Sequence, residues 1–432
     1  MTVKEGATSA MKPIERYPTP IDPNLAKSTK PNPSGPAKPR AGIPLFKVFM
    51  ADSAAAVVTR TLQSGYIGQG PMVDAFEQQL RSRLNHDFVV TVNSATSAEH
   101  LALHMLRKPG AGTSRDERIR GSRDAWPGVE PGDEVLTTPL TCTATNWPIL
   151  ANGFRIKWVD VDPETLNVDL DDLERKLTPR TKAIMLVHWG GYPVDLDRVQ
   201  QICGRANDLF GFTPRVIEDC AHAFGSNYKG RPIGTHGNMC TFSFQAIKHV
   251  TTGDGGLLTL PDAQLLTRAR LLRWYGIDRD SNRKDFRCEA DIPEWGFKFH
   301  MNDIAASIGI ENLKHADAIV GRHRANAAFY DAVLAGVPGI TLPTRHSDRE
   351  SAFWIYSVLV ERKVDFQRAM TERGVAVSQV HERNDIHSCV AEFRTPLPTL
   401  DRVVPRLSAI PVGWWVTDEE REYVVDCIKR GW

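Results

Sequence analysis

The sequence predicts an α/β fold, with a mostly parallel sheet in a large domain and a smaller α+β domain at the C-terminus. Short apolar or β-branched runs alternate with helical stretches from Phe88 onward, and such alternation is typical of crossover units. From about Trp274 the alternation weakens, and helices and short strands then resume. The length of 432 residues also favours two domains. We predict a large domain at 43–275 and a small one at 276–432.

Composition narrows the class of protein. Apolar residues make up 41% of the chain and charged residues 24%, with a formal net charge of +1. These values favour a globular protein without a nucleic-acid or membrane partner. No apolar run approaches the ~20 residues that a bilayer requires, and no signal peptide follows the first methionine. The seven cysteines are scattered, which indicates neither a disulfide framework nor a metal site. We expect a reduced, cytoplasmic enzyme.

Two segments interrupt the globular pattern. Residues 1–42 contain eight prolines and few large apolar residues, so we predict an extended or disordered arm. Residues 107–130 are rich in Gly, Arg, Ser and Asp, and we predict a surface insertion there. The arginines of this insertion could contact a diphosphate, although a solvated loop is the simpler interpretation.

The elements of the large domain follow from periodicity. Apolar residues at helical spacing between Val73 and Leu84 predict an amphipathic helix. β-branched and apolar runs predict strands at 88–92, 134–138, 156–160, 183–187, 215–219 and 240–244. Helical spacing predicts helices at 98–106, 170–177, 196–209 and 418–429.

Polar side chains follow several of these strands at the point where each strand ends. They are Ser94, Thr96, Thr141, His188, Asp219 and His222. Ligands of parallel sheets bind at the carboxyl ends of the strands. The sequence therefore predicts a binding site at this edge.

Lys248 is the most informative single residue. It follows an apolar strand and precedes the glycines Gly253, Gly255 and Gly256, which let the backbone pass close to a ligand. A desolvated lysine can lose its proton and form a Schiff base with a carbonyl compound. Taken alone, a solvated lysine in a turn is the simpler interpretation.

Other residues at the strand ends also allow two interpretations. The junction at 93–97 can bind a phosphate at a helix start, or Ser94 and Thr96 can be ordinary N-caps. Asp219 can hold a protonated ring nitrogen, or it can cap a turn. His222 can bond a ring hydroxyl, or it can be a structural histidine.

Several motifs in a fixed order resemble one family. They are SGYIGQGP at 64–71, SATSAEHLAL at 94–103, PGDEV at 131–135, HWGGYPVD at 188–195, IEDCAHAFG at 217–225, YKGRPIG at 228–234, and FSF at 242–244 with Lys248 and GDGG at 253–256. This order resembles the DegT/DnrJ/EryC1/StrS family of nucleotide-sugar aminotransferases. These are fold-type I, aspartate aminotransferase-like enzymes that depend on pyridoxal 5'-phosphate (PLP). The resemblance extends from about residue 46 to the C-terminus.

The resemblance implies roles for individual residues. Lys248 would be the Schiff-base lysine, and Asp219 would pair with the pyridine nitrogen. His222 would lie near the cofactor ring and its hydroxyl. The phosphate would be held by Ala95, Thr96 and Ser243.

Three positions depart from the family pattern. Ala95 replaces a glycine but keeps the backbone donors. Cys142 stands where an aromatic residue usually stacks on the cofactor ring, and Trp147 is a candidate substitute. Lys298 stands where an asparagine usually reaches the phosphate from the partner subunit. The resemblance thus implies a homodimer with active sites at the subunit interface.

The resemblance also implies the reaction. An amino group, expected to come from L-glutamate, would pass through pyridoxamine 5'-phosphate (PMP) to a keto group of a nucleotide-linked keto-deoxysugar. One alternative is a PMP-dependent sugar dehydratase of the same family, in which a histidine typically replaces the lysine; His249 is adjacent. The other is a non-catalytic PLP-fold protein with a binding or regulatory role.

Overall fold

A computed structural model describes residues 42–108, 126–279 and 291–432. These residues all fall within the compact unit Gly35–Trp432. The predicted N-terminal arm, except for its last residue, lies outside the described residues. So does the centre of the predicted insertion, at 109–125, which contains the candidate diphosphate ligands Arg115, Arg118, Arg120 and Arg123. The domain boundary at residue 275 remains a prediction.

The helices and strands are numbered in chain order. The helices are α1 (Ala54–Ser64), α2 (Pro71–Leu84), α3 (Ala95–His104), α4 (Thr143–Ala151), α5 (Leu170–Arg175), α6 (Leu196–Phe210), α7 (Ala263–Leu272), α8 (Asp303–Leu313), α9 (Ala316–Leu334), α10 (Lys363–Glu372), α11 (Pro398–Val403) and α12 (Asp418–Lys429). The strands are β1 (Val89–Val92), β2 (Glu134–Thr137), β3 (Arg155–Trp158), β4 (Thr181–Val187), β5 (Arg215–Asp219), β6 (Asn227–Tyr228), β7 (Arg231–Pro232), β8 (Met239–Ser243), β9 (Gly256–Thr259), β10 (Ile340–Thr341), β11 (Arg349–Glu350), β12 (Tyr356–Val360) and β13 (Leu407–Ile410).

A seven-stranded sheet organises the larger part of the structure. Its strand order is β1-β9-β8-β5-β4-β2-β3. The five strands from β8 to β3 are parallel to one another, whereas β9 is antiparallel to both β8 and β1. The α/β class and the mostly parallel sheet predicted from the sequence are confirmed.

Both faces of this sheet are covered. The neighbouring residues Ile184 and Met185 on β4 are fully buried in two different apolar clusters. Since successive side chains of a strand point to opposite faces, each cluster belongs to one face. The continuous apolar runs in the sequence reflect this two-sided burial.

A second sheet, in the order β10-β12-β13, has an apolar cluster of its own. Residues of α9, α10 and α12 pack in this cluster, and so does Ile43 from the start of the described chain. Ile43 N–H donates to the Gly374 carbonyl oxygen at 2.7 Å, which ties this segment to the C-terminal part of the chain. No helix in the described ranges is both long and apolar enough to cross a membrane.

The bounds of the predicted helices and strands differ from those observed by up to three residues, and the largest shift is at the start of α3. The helix predicted to begin at Ala98 begins at Ala95, because the Ser94 side chain accepts the Ser97 N–H and caps the helix there. This shift is significant for the site, since it places the helix N-terminus directly after β1. The last helix has the predicted bounds.

Candidate active site

Two predicted site residues end neighbouring parallel strands. Asp219 is the last residue of β5, and Ser243 is the last residue of β8. The strands pair with Asp219 opposite Thr241. Because parallel strands end at the same edge of a sheet, Asp219 and Ser243 share the carboxyl edge where ligands bind.

The Asp219 carboxylate is buried, at 4% exposure, and held by two donors. Thr145 Oγ1 donates to Oδ2 at 2.6 Å, and the Ala221 N–H donates to Oδ1 at 2.9 Å. Thr141 Oγ1 lies 2.7 Å from Thr145 Oγ1 and extends this chain of hydroxyls. These contacts fix the orientation of the carboxylate at the edge of the sheet.

The Thr145 hydroxyl provides a test of this orientation. Thr145→Val removes one donor from Asp219 while keeping the side-chain shape. We expect the affinity for PLP, the cofactor that the family resemblance implies, to fall about tenfold, since a lost hydrogen bond to a charged group costs ~1.5 kcal/mol. Thr145→Ser keeps the hydroxyl and is expected to retain the wild-type dissociation constant in a fluorescence titration. Equal affinities for the Val and Ser variants would contradict this role.

Lys248 lies in the loop between β8 and β9. Trp354 Nε1 donates to the carbonyl oxygen of Ile247 at 2.9 Å, and Lys248 Nζ lies 3.4 Å from the centre of the Trp354 ring. Lys248 as a whole is half-buried, and its ammonium lies against the buried Trp354 ring. Burial lowers the pKa of Lys248 from its ordinary 10.5 to about 7, although Asp219 opposes this shift. A substantial fraction of neutral amine is therefore present at neutral pH.

The lowered pKa of Lys248 predicts a pH-dependent stability. Between about pH 7 and 10.5 the unfolded lysine is protonated and the folded one is not, so the free energy of unfolding rises with pH in this window, by at most about 5 kcal/mol. Below pH 7 the folded protein carries a buried ammonium, and the full desolvation penalty of this charge lowers the free energy of unfolding. In cofactor-free protein, Lys248→Met should therefore be stabilising at pH 6, and this advantage should shrink toward pH 10.

Urea unfolding at several pH values measures this difference. Lys314→Met, at an exposed position, is the matched control and should show no such trend. A stability difference between wild type and Lys248→Met that is constant from pH 6 to 10 would contradict the lowered pKa.

His222 lies beside Lys248 and is 4% exposed. Its ring stacks on Trp354, with centroids 3.9 Å apart. Burial, and then Lys248, lower the pKa of His222 well below its ordinary value, so the ring is neutral. Its Nδ1 is buried and has no hydrogen-bond partner among the described residues. This nitrogen is therefore available to form a hydrogen bond with the hydroxyl of a ligand.

The start of α3 forms the other end of the site. Ser94 caps the Ser97 amide, whereas the amides of Ala95 and Thr96 make no hydrogen bond within the described ranges. Gly256 lies so close that a Cβ atom there would be 2.4 Å from the Ser94 carbonyl carbon. Gly256 pairs with Ser243 across β8 and β9, so the Ser243 residue lies near this helix N-terminus. Free amides at a helix start fit a phosphate.

Three further residues were named from the sequence, and only one of them, Cys142, lies near Lys248 in the structure. Cys142 directly precedes α4 and lies close enough to Lys248 to affect its pKa. Trp147 instead packs edge-to-face against His387, with centroids 5.8 Å apart. Lys298 is exposed, and its ammonium lies 3.6 Å from the centre of the Trp274 ring of its own chain. Within one chain, Lys298 is thus not joined to the Asp219–Lys248 group by any of its described contacts.

Two histidines near the motifs have structural partners. His188 Nε2 lies 2.8 Å from Glu218 Oε2, and its Nδ1 accepts the Val194 N–H. His249 is buried and lies 3.0 Å from the Ala352 carbonyl oxygen through Nε2. The His249 ring is therefore held by a backbone contact. His249 and its neighbour Lys248 both lower the pKa of His222, and Lys248 has the larger effect.

Sequence reasoning missed three residues of the site: Thr145, Trp354 and His381. The His381 ring is parallel to His222 at 5.6 Å, and burial followed by Lys248 lowers the pKa of His381 to about 4. Trp354 and His381 are more than one hundred residues from Lys248 in the chain. Their sequence surroundings contain no signal that could have identified them.

A lysine with a lowered pKa, a buried carboxylate and a helix N-terminus with free amides thus meet at the edge of a parallel sheet, and these groups fit the cofactor that the family resemblance implies. A family model for the DegT/DnrJ/EryC1/StrS aminotransferase family matches residues 50–429. The chain belongs to this family.

Known proteins of this kind match most of the chain. The sugar aminotransferase CalS13 from Micromonospora echinospora is 49% identical, with a TM-score of 0.83, covering 90% of this chain and 100% of that one. A dTDP-4-dehydro-2,3,6-trideoxy-D-glucose 4-aminotransferase from Saccharopolyspora spinosa is 30% identical, covering 90% of this chain and 96% of the relative.

A third similar structure bears on the cofactor. Spr1654 from Streptococcus pneumoniae, described as a sugar aminotransferase, has been solved in a PLP form and in a PMP form. The PLP form is 25% identical, with a TM-score of 0.79, and covers 90% of this chain and 98% of that one.

Proposed function

We propose that the protein is a PLP-dependent aminotransferase that transfers an amino group from L-glutamate to the keto group of a nucleotide-linked keto-deoxysugar. The observation that supports this most is the setting of Lys248. Its amine lies beside His222, and burial lowers its pKa to about 7 although Asp219 opposes this shift. Family membership supplies the reaction class, and the relatives with sugar substrates supply the substrate class.

The residues of the site fit PLP group by group. Asp219 would hold the protonated ring nitrogen, because opposite charges favour each other in the interior. His222 Nδ1 would bond the ring hydroxyl. The amides of Ala95 and Thr96, with the hydroxyls of Thr96 and Ser243, would hold the phosphate, while Lys248 would anchor the cofactor covalently. Trp354 stacks on His222 and thereby keeps its ring in place.

When bound, PLP supplies an electron sink for the negative charge that develops at the α-carbon of the amino donor. Once the amino donor has replaced Lys248 on the cofactor, the free Lys248 Nζ would take the proton from this α-carbon and pass it to the cofactor. In the second half of the reaction it would take a proton back from the cofactor and deliver it to the sugar carbon that receives the amine. A base with a pKa near 7 is suited to both directions at neutral pH, and a positioned base contributes ~10²–10⁴-fold.

We further propose that the protein works as a cytoplasmic homodimer, with Lys298 of a second copy contacting the cofactor phosphate. The exposed position of Lys298 supports a role outside its own chain. The six cysteines of the described ranges are free thiols, which is typical of a reducing compartment.

A substrate screen tests the proposed function. The S. spinosa relative is named for a dTDP-linked 4-keto sugar, so dTDP-linked 4-keto-deoxysugars are the first candidates. Purified protein with PLP and L-glutamate should convert one or more of them to the amino sugar, detected as the mass change of keto to amine. Omitting glutamate is the control. No amination of any dTDP- or UDP-linked keto sugar would contradict the proposal.

A further inference from the structure

Glu99 is a second buried carboxyl group beside Asp219. It lies on α3 at 1% exposure, and its carboxyl interacts with the side chains of Asp219 and Thr241. One of its oxygens, Oε2, is buried without a hydrogen-bond donor among the described residues. A buried glutamate needs a partner or a proton, because an unpaired charge in the interior is costly.

The hydrogen bonds indicate which carboxyl carries a proton. Both oxygens of Asp219 accept hydrogen bonds, from Thr145 and from the backbone of Ala221. Glu99 Oε2 lacks such a donor. Two adjacent carboxyls in the interior avoid double ionisation by sharing one proton. Burial first, and then Asp219, raise the pKa of Glu99 well above its ordinary value.

The other groups around Glu99 come from three further elements. Cys142 faces it from the start of α4, Thr241 from β8, and Lys248 from the β8–β9 loop. Lys248 is the group among them that carries a positive charge when it is protonated. An ionised Glu99 would raise the pKa of Lys248, and a neutral Glu99 therefore helps to keep that lysine deprotonated.

We infer that Glu99 is a positioning residue that keeps a proton at neutral pH and donates a hydrogen bond from its carboxyl to Asp219. The pair then carries a single negative charge, which matches the single positive charge of a protonated ring nitrogen. This inference rests on the proposed function for the role of Asp219, but the proton on Glu99 is a property of the protein without cofactor.

Infrared spectroscopy of the cofactor-free protein tests the proton directly. The difference spectrum between wild type and Glu99→Gln at pH 7 should show the carbonyl stretch of a protonated carboxyl group, present in wild type and shifted in D₂O. A difference spectrum with only ionised carboxylate bands would overturn the inference. This measurement needs no PLP.

Two variants then test the hydrogen bond. Glu99→Gln keeps a neutral donor, and its PLP dissociation constant should stay within about threefold of wild type, whereas Glu99→Leu, similar in size without a donor, should weaken PLP binding about tenfold, the effect of one lost hydrogen bond to a charged group. Equal effects of the two substitutions would overturn the positioning role. A wild type that shows the carboxyl band but never binds PLP would overturn the proposed function and leave the proton on Glu99 established.

Discussion

Replacing Lys248 by alanine is expected to reduce transamination by ~10⁴-fold, the upper end of the range for a positioned base. The amine that takes the proton is lost, and so is the covalent anchor of the cofactor. Bound PLP should then show the spectrum of free aldehyde and should leave the protein on gel filtration. Lys248→Arg keeps a cation but cannot act as a neutral amine at neutral pH, so it should be as inactive as the alanine variant.

Lys314→Ala, at an exposed lysine, is the matched control and should retain wild-type kcat and PLP content. Circular dichroism should show the same fold for all the lysine variants. A Lys248→Ala protein that keeps more than a tenth of wild-type kcat would show that another residue moves the proton.

The second large effect is expected at Asp219. Asp219→Asn keeps the size of the side chain and removes the charge, so the buried pair with the ring nitrogen is broken. Breaking such a pair costs ~3–5 kcal/mol, which corresponds to a loss of ~10²–10⁴-fold in kcat. Steady-state kinetics at saturating PLP separates this loss from weaker cofactor binding.

Asp197→Asn, which changes an exposed aspartate, is the control and should leave kcat unchanged. Asp219→Glu keeps the charge on a longer side chain, and its kcat should lie between those of Asp219→Asn and the wild type. An Asp219→Asn protein with wild-type kcat would contradict an ionic role for this residue.

The strand-end residues could be predicted from the sequence because parallel strands impose a simple geometry. Once the apolar runs predicted at 215–219 and 240–244 are identified as neighbouring parallel strands, their ends must share an edge, which places Asp219 there. Ser243 is assigned only by the family resemblance. Lys248 follows the second strand by five residues and so reaches the same edge. Local pattern and topology together were sufficient for this part of the site.

The surroundings of these residues could not be predicted, because they depend on tertiary contacts. Trp354 contacts Ile247 and Lys248 from the segment before β12, and nothing in its local pattern indicates this. Glu99 lies between Ala98 and His100 in α3, and a glutamate is ordinarily expected on the surface. Only the packing of α3 against the sheet places it next to Asp219.

The first half of the reaction tests most directly whether this protein is a glutamate-dependent aminotransferase. One equivalent of PLP-loaded protein, mixed with L-glutamate in the absence of any sugar, should convert its cofactor to PMP and release one 2-oxoglutarate per active site, both measured by chromatography. Lys248→Ala should form neither product. A wild-type protein that holds PLP and yet produces no PMP and no 2-oxoglutarate would contradict the assignment of this chain as a glutamate-dependent aminotransferase.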